Sequence, residues 1–282
     1  PSSTRSTRNH VPVALHAALV SSGSWGLSIA NFDDSTMTFE PDAILETGNI
    51  TDICPFANDP TSDGAVYVNN SADTIGFIRR NATGDYELDP ASKLTSAVWP
   101  SATGVVVSAC RHQSGDLLFV TESPTGEAEL WVIKAGASVA TKVGDTAGGP
   151  RTLRTAGNIA VVGSYGTGGL SFGAIGIFYR SAVGDWLTAP LSKTGSRSIG
   201  IDMKELPVGR VAIAYTSFTG NIVSVTVVDG TTAAIDHDVS YDMPTGATGP
   251  GHCFFIREFG VEAVVVTCNT SGHIVTQPVA YN

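Results

Sequence analysis

Positive charge is scarce in this sequence. Sixteen lysines and arginines stand against 26 aspartates and glutamates, for a net charge of −10. No basic cluster offers the counterion release on which broad binding to nucleic acid or an anionic membrane depends, so neither is expected as a partner. Long apolar runs are missing too. No stretch of about 18 apolar residues exists, which predicts no membrane insertion by a helix, and no apolar signal-peptide core precedes Val11. Cysteine is sparse: Cys54, Cys110, Cys253 and Cys268 show no CxxC spacing, which excludes the usual zinc frameworks. Two readings of them stay open. Cys253 and Cys268 flank the hairpin-like "CFFIREFGVEAVVVTC" and would face each other across two strands in an oxidising compartment; otherwise the four are buried free thiols acting as small apolar residues.

Helical periodicity is the last absence. Almost no window places apolar residues at i, i+3, i+4 and i+7; the apolar runs are short and end in Gly or Asp, as in "GRVAIAY", "GNIAVVGSY" and "EAVVVTCN". With 42% hydrophobic residues, only 15% charged residues and 31 glycines, the composition predicts strands joined by tight turns. An all-β protein is expected, and a length of 282 residues fits a single unit of that class.

The chain repeats itself. "RRNATGDYELDP" is answered by "YRSAVGDWLTAP", matching Gly84-Asp85-Tyr86 with Gly184-Asp185-Trp186. Polar turns centre near Asp34, Gly84, Gly136, Gly184 and Gly230, at steps of about 46 to 52 residues. A second series runs ahead of it: "DGAVYV", "GDLLFV", "GNIAVV", "GRVAIA" and "GVEAVVV". "ITDICPFA", "LTSAVWPS" and "SRSIGIDM" supply a further strand to their units. Four strands per unit at this period is the pattern of propeller blades. Five clear units and a less regular first one predict a six-bladed β-propeller with four-stranded antiparallel blades over residues 12–282, preceded by an arm over residues 1–11. The arm could complete the last unit, which is a strand short. In the outer hairpin Gly-Asp closes the turn, and Tyr86 or Trp186 then packs its ring on the blade beneath.

The unit "GPRTLRTAGNIAVVGSYGTGGLSFGAIGIFYRSAVGDWLTAPLS" resembles a repeat of the sialidase-like, Asp-box class of six-bladed propellers, in which a strand ends in Ser-x-Asp-x-Gly-x-Thr-Trp. Here Ser181 is followed by Gly184-Asp185-Trp186, so the box is shortened and its Asp displaced. The resemblance implies architecture. A sialidase would further need three arginines clamping a carboxylate, a Tyr–Glu nucleophile pair and an Asp acid, and the Arg-Ile-Pro segment of that family is absent. Arg111, Arg151, Arg197 and Arg257 do fall at ends of predicted inner strands.

Other glycoside hydrolases use two carboxyls about 5 to 9.5 Å apart. Asp52, Asp202 and Glu205 are the candidates here, with Arg111 or Arg257 beside them; their alternative role is as solvated charges at strand ends. In "IDHDVSYD", Asp236, His237 and Asp238 alternate between strand faces and cannot readily chelate together. His16, His112, His252 and His273 share no ligand spacing, "TAGGPR" and "YGTGGLSFG" lack the Lys and helix of a phosphate loop, and no Gly-x-Ser-x-Gly elbow occurs. No metal and no cofactor are expected.

Three functions follow. The first is a non-enzymatic recognition or assembly propeller, such as the decoration, head-fibre or tail component of a virus particle, binding other subunits through its arm at Arg5 and Arg8. The second is a secreted lectin with aromatic-floored pockets, for which Trp25, Trp99, Trp131 and Trp186 fall in different units and four Asn-x-Ser/Thr sequons (Asn49, Asn69, Asn81, Asn269) suit secretion. The third is a glycoside hydrolase. The expected setting is a virion or the extracellular space.

Overall fold

The glycine-led apolar runs are the second strands of successive antiparallel sheets: Gly64–Asn69, Leu117–Glu122, Ile159–Tyr165, Arg210–Ser217 and Val261–Cys268. Each sits between two hydrogen-bonded neighbours and under the faces of adjoining sheets. Apolar residues are therefore wanted on both sides, and the run reads as continuous rather than alternating. The computed structural model describes residues 15–20, 24–29, 32–33, 38–39, 43–56, 64–80, 86–99, 104–165, 174–189, 193–194, 198–217, 222–243, 250–258, 261–268 and 274–279. Arg5, Arg8, Arg197 and the turn at Gly84-Asp85 lie outside these residues, as do the side chains of Trp25, Tyr86, Arg257 and Cys268.

Six sheets of three to five strands follow one another along the described chain, with one further two-stranded pair, Phe32–Asp33 with Thr38–Phe39. The first contains Leu15–Val20, Ser24–Ile29 and Ala43–Thr47, and the sixth Pro250–Glu258, Val261–Cys268 and Ile274–Pro278. The third and fifth have the expected four strands, while the second and fourth carry a fifth short one. Within each the strands pair mostly with their sequence neighbours, so the topology is built from local hairpins.

The sheets stack through their faces. Ile50–Pro55, Val106–Arg111, Gly149–Ala156, Ser198–Glu205 and Pro250–Glu258 are the opening, innermost strands of sheets two to six, and each packs beside the next. An apolar cluster fills each of the five seams between successive sheets among the described residues. Leu27 meets Tyr67 and Ile78 between sheets one and two; Val66 and Val68 meet Phe119 between two and three. Leu118 and Val120 meet Val162 and Phe178 between three and four. Ile159, Ile175 and Ile177 meet Ile201, Ile213 and Tyr215 between four and five, and Val225 meets Cys253, Val264 and Val266 between five and six.

One expected strand is elsewhere. "LTSAVWPS" does not open the third sheet: Leu94–Thr95 pair back onto the second, and Ser96–Val98 form a 3-10 turn whose Ala97 N–H is capped by Thr95 Oγ1 at 3.4 Å. Trp99 is buried beyond it, and the innermost strand is Val106–Arg111. The pairing of Cys253 with Cys268 is also corrected. Register sets Cys253 opposite Val266 and Cys268 opposite Pro250. Cys253 is a free thiol, donating to the carbonyls of Gly200 and Ala214, each at 3.4 Å.

The turn that repeats in sequence has a physical basis. In Ser181–Asp185 the Ser181 N–H donates to the Asp185 carbonyl at 2.8 Å, Gly184 donates back to Ser181, and Gly184 takes φ +88°, which a side chain resists. Residues 123–127 and 112–116 close in the same pattern around Gly126 and Gly115. Trp186 then packs as expected: it is 5% exposed and lies against the third sheet.

Candidate functional site: a polar cluster on the innermost strands

Every innermost strand from the second sheet to the sixth shifts register against its neighbour near its start, just before Asp52, Ser108, Thr152, Ile201 and Cys253. An irregularity of this kind bends a strand and re-aims the side chains that follow. Here it brings polar groups of different sheets together. Ser108 Oγ donates to Asp52 Oδ2 and itself accepts the Leu153 N–H at 2.8 Å, linking the second, third and fourth sheets.

Arg154, next to Leu153, spans the third sheet to reach the second. Its Nη1 donates to Asp52 Oδ2 at 2.9 Å and its Nη2 to Asp52 Oδ1 at 3.1 Å, a two-pronged contact between groups 102 residues apart. Oδ1 also accepts the Ile53 N–H at 2.9 Å. With Ser108 included, both oxygens of Asp52 accept two hydrogen bonds each. Its side chain is 9% exposed and that of Arg154 is 26% exposed.

Asp202, on the innermost strand of the fifth sheet, accepts the Phe255 N–H of the sixth at 2.8 Å. Burial pushes its carboxyl above the usual range, opposed by the N–H groups of Phe255 and Met203 and by the charge of Arg154. The charge of Arg154 thus reaches both carboxyls, clamping Asp52 directly and acting on Asp202 from further away. One carboxylate is clamped; the other favours its proton more than an ordinary Asp does. Arg154 was not among the sequence candidates. Its strand, "GPRTLRTA", carries a weak signal at most, an Arg beside the buried Leu153, and only Asp52 shows what that Arg is for.

The remaining candidates go elsewhere. Glu205 is exposed and accepts the Gly157 N–H at 2.7 Å, bracing the fifth sheet against a turn of the fourth. Arg111 lies over the Phe56 ring, 5.1 Å from its centroid, and Arg151 over Tyr165 at 4.1 Å. Arg257 belongs to the strand Pro250–Glu258. Among the described residues no group of three His, Cys, Asp or Glu side chains is placed to hold a metal ion; Asp236 and Asp238 take the exposed face of their strand and His237 the other.

The described tryptophans serve the core. Trp99 packs on Phe119 with centroids 5.1 Å apart, Trp131 donates to Thr121 Oγ1 at 3.1 Å, and Trp186 donates to Asp116 Oδ2 at 3.0 Å. None is more than 7% exposed, so none floors an open pocket. Among the described residues Phe254, on the innermost strand of the sixth sheet, presents a ring at 50% exposure.

No family profile and no curated protein sequence matches the chain. Solved structures do. The SapL1 lectin, determined with alpha methyl fucoside, is 14% identical over 95% of this chain and 93% of its own, with a TM-score of 0.50. A periplasmic gluconolactonase of Pseudomonas aeruginosa is 11% identical over 94% and 82%, with a TM-score of 0.58. The Dos1 propeller is 11% identical over 96% and 74%, with a TM-score of 0.53. At these identities the likeness is one of fold, and it reaches propellers of several kinds without singling out the sialidase-like class. The chain has an all-β, propeller-type architecture.

Proposed function

We propose that the chain is a six-bladed recognition propeller, a single domain over residues 12–282 that binds carbohydrate without turning it over. The observation that carries this reading is the engagement of three of the catalytic candidates within the fold itself. Asp52 accepts four internal hydrogen bonds, Glu205 is committed to Gly157, and Arg111 to Phe56. A general base must be able to reach a substrate proton, and groups held this way build a scaffold first. Arg154 remains 26% exposed beside Asp52, a pair suited to the hydroxyls of a neutral sugar, and Phe254 offers an exposed ring of the kind that stacks on a sugar face. The SapL1 lectin, a propeller-like neighbour determined with a fucoside, supports the ligand class.

The test is a glycan array on the purified chain, followed by titration of any hit against Phe254→Ala, a half-exposed change that leaves the core intact. Binding lost in the variant supports the reading; an array with no hit sinks it.

A second reading has one observation in its favour. Burial raises the Asp202 carboxyl while Arg154 holds Asp52, and hydrolases draw their acid and base from two carboxyls in unlike surroundings. A gluconolactonase is among the similar structures. Turnover of a lactone or glycoside that disappears in Asp202→Asn would replace binding with hydrolysis. The particle-component reading rests on residues 1–11, outside the described residues; assembly of the full chain that is lost when they are deleted would support it.

A further inference from the structure

Cys54 and Cys110 occupy equivalent places. Each lies two residues beyond the first paired position after the register irregularity of its innermost strand, Cys54 beyond Asp52 and opposite Val66, Cys110 beyond Ser108 and opposite Leu118. Side chains two apart along a strand leave it on the same side, so each cysteine shares a side with a residue whose partner is known. Asp52 and Ser108 already meet through a hydrogen bond. One step along the same two strands the thiols meet as well, Cys54 and Cys110 lying within hydrogen-bonding contact.

The surroundings hold them there. Both belong to one apolar cluster with Leu118, Val120, Leu153 and Ala160 and are 6% and 1% exposed. Cys253 is occupied otherwise, its S–H turned to the carbonyls of Gly200 and Ala214. Two thiols in contact on packed neighbouring strands are the arrangement that a disulfide requires, and its bond would add a covalent rung to the hydrogen bonds that Ser108 makes to Asp52 and Thr51 to the Val107 carbonyl.

We propose that Cys54 and Cys110 are a disulfide-forming pair that closes when the chain folds in the presence of a low-molecular-weight disulfide such as oxidised glutathione. The chemistry is two successive exchanges. A thiolate of the pair attacks the small disulfide, releasing one small thiol and leaving a mixed disulfide. The second cysteine then displaces the other small thiol and the S–S bond forms. Two S–H bonds are lost, and the two electrons and two protons leave with the small disulfide, which is reduced to two thiols. Burial of both sulfurs assigns the reaction to folding, before the seam between the sheets shuts.

The experiment refolds the full, reduced chain with a mixture of oxidised and reduced glutathione, and in parallel with reduced glutathione alone. Intact mass, alkylation under denaturing conditions and peptide mapping are the readouts. The expected result is a mass lower by two hydrogens, two alkylatable thiols in place of four, and a linked peptide pair containing residues 54 and 110 that reductant separates. The same link should survive in Cys253→Ala. Four alkylatable thiols after oxidative refolding, or a link through Cys253 or Cys268, would overturn the proposal. The map is made on the wild-type chain, so a variant that fails to fold does not leave the matter open. Where Cys54→Ala does fold, reductant should lower the thermal midpoint of the oxidised wild type and leave that of the variant unmoved.

Discussion

Trp186 and Asp116 are 70 residues apart and joined by a 3.0 Å hydrogen bond from the indole Nε1 to Oδ2. The same oxygen accepts Arg180 Nε at 3.1 Å, and Oδ1 accepts the Ala135 N–H at 3.0 Å. One buried carboxylate of the third sheet thereby fixes the outer hairpin of the fourth. Burial alone would raise its pKa, yet the N–H groups of Ala135, Trp186 and Arg180 and the Ser114 hydroxyl together hold it below the usual value.

Removing this carboxylate should be among the most damaging single changes in the described core. Asp116→Ala leaves a guanidinium, an indole and a backbone N–H without their acceptor, at a cost of about 3 to 5 kcal/mol. Urea denaturation checks it, with Asp116→Asn falling between the variant and wild type. A carboxyl whose folded pKa is depressed adds stability that is present above its unfolded pKa. That stability fades as pH drops through the folded one, so the gap between wild type and Asp116→Ala should narrow in acid.

His112 should give a second, separate pH response. The Ser114 N–H donates to its Nδ1 at 3.1 Å, so that nitrogen carries a lone pair and Nε2 carries the proton given to the Gly157 carbonyl. Burial, aided by the charge of Arg180, depresses its pKa, against the pull of the Gly157 carbonyl, Asp116 and Glu205. The unfolded chain then takes up the proton first, at a pH of about 6.5. Stability is complete above that value and falls as pH drops towards the folded pKa. Thermal midpoints between neutral pH and mild acid should fall more steeply for wild type than for His112→Gln.

Asp52 and Arg154 should prove strongly coupled. Asp52→Asn and Arg154→Met each strand a charged or polar partner in a mostly buried place. The double variant leaves neither charge unmatched. A double-mutant cycle by chemical denaturation is expected to return an interaction of about 1 to 3 kcal/mol, and a value near zero would mean that solvent already screens the pair.

Val208 should be improvable. It is 94% exposed and holds φ 65°, ψ 27° in the turn between the first two strands of the fifth sheet. A β-branched side chain is poorly suited to this conformation, which Asn tolerates. Val208→Asn should raise stability by about 1 kcal/mol, measurable as a higher urea midpoint with an unchanged slope.

The central strands were legible because their environment is written into their own residues. A strand covered on both faces needs an unbroken apolar run, and "GRVAIAY" or "GNIAVV" can scarcely be read otherwise. The opening of the third sheet was not legible, because "LTSAVWPS" and "VVSACR" are equally apolar and only the pairing of Leu94 and Thr95 with Thr74 and Ile75 decides between them. The same limit governs the site. Asp52 and Asp202 could be named from their neighbourhoods, whereas Arg154 acquires its meaning from Asp52, a partner 102 residues away. Glu205 has the composition of a catalytic carboxylate, and only the position of Gly157 reveals it as a brace.

The seams between sheets are unlike in kind. The third and fourth sheets are fastened by Ser108 with Leu153, His112 with Gly157, and Asp116 with both Arg180 and Trp186. The fourth and fifth meet chiefly through isoleucines, valines and Tyr215, with Glu205 and Gly157 supplying the side-chain hydrogen bond described there. Apolar association weakens on cooling while hydrogen bonds hold. Chilling therefore acts on these joints unequally: near freezing, amide exchange should quicken along Ile159–Tyr165 and Arg210–Ser217 before it does along Leu117–Glu122, and the molecule would come apart in the cold along a different line from the one that acid opens.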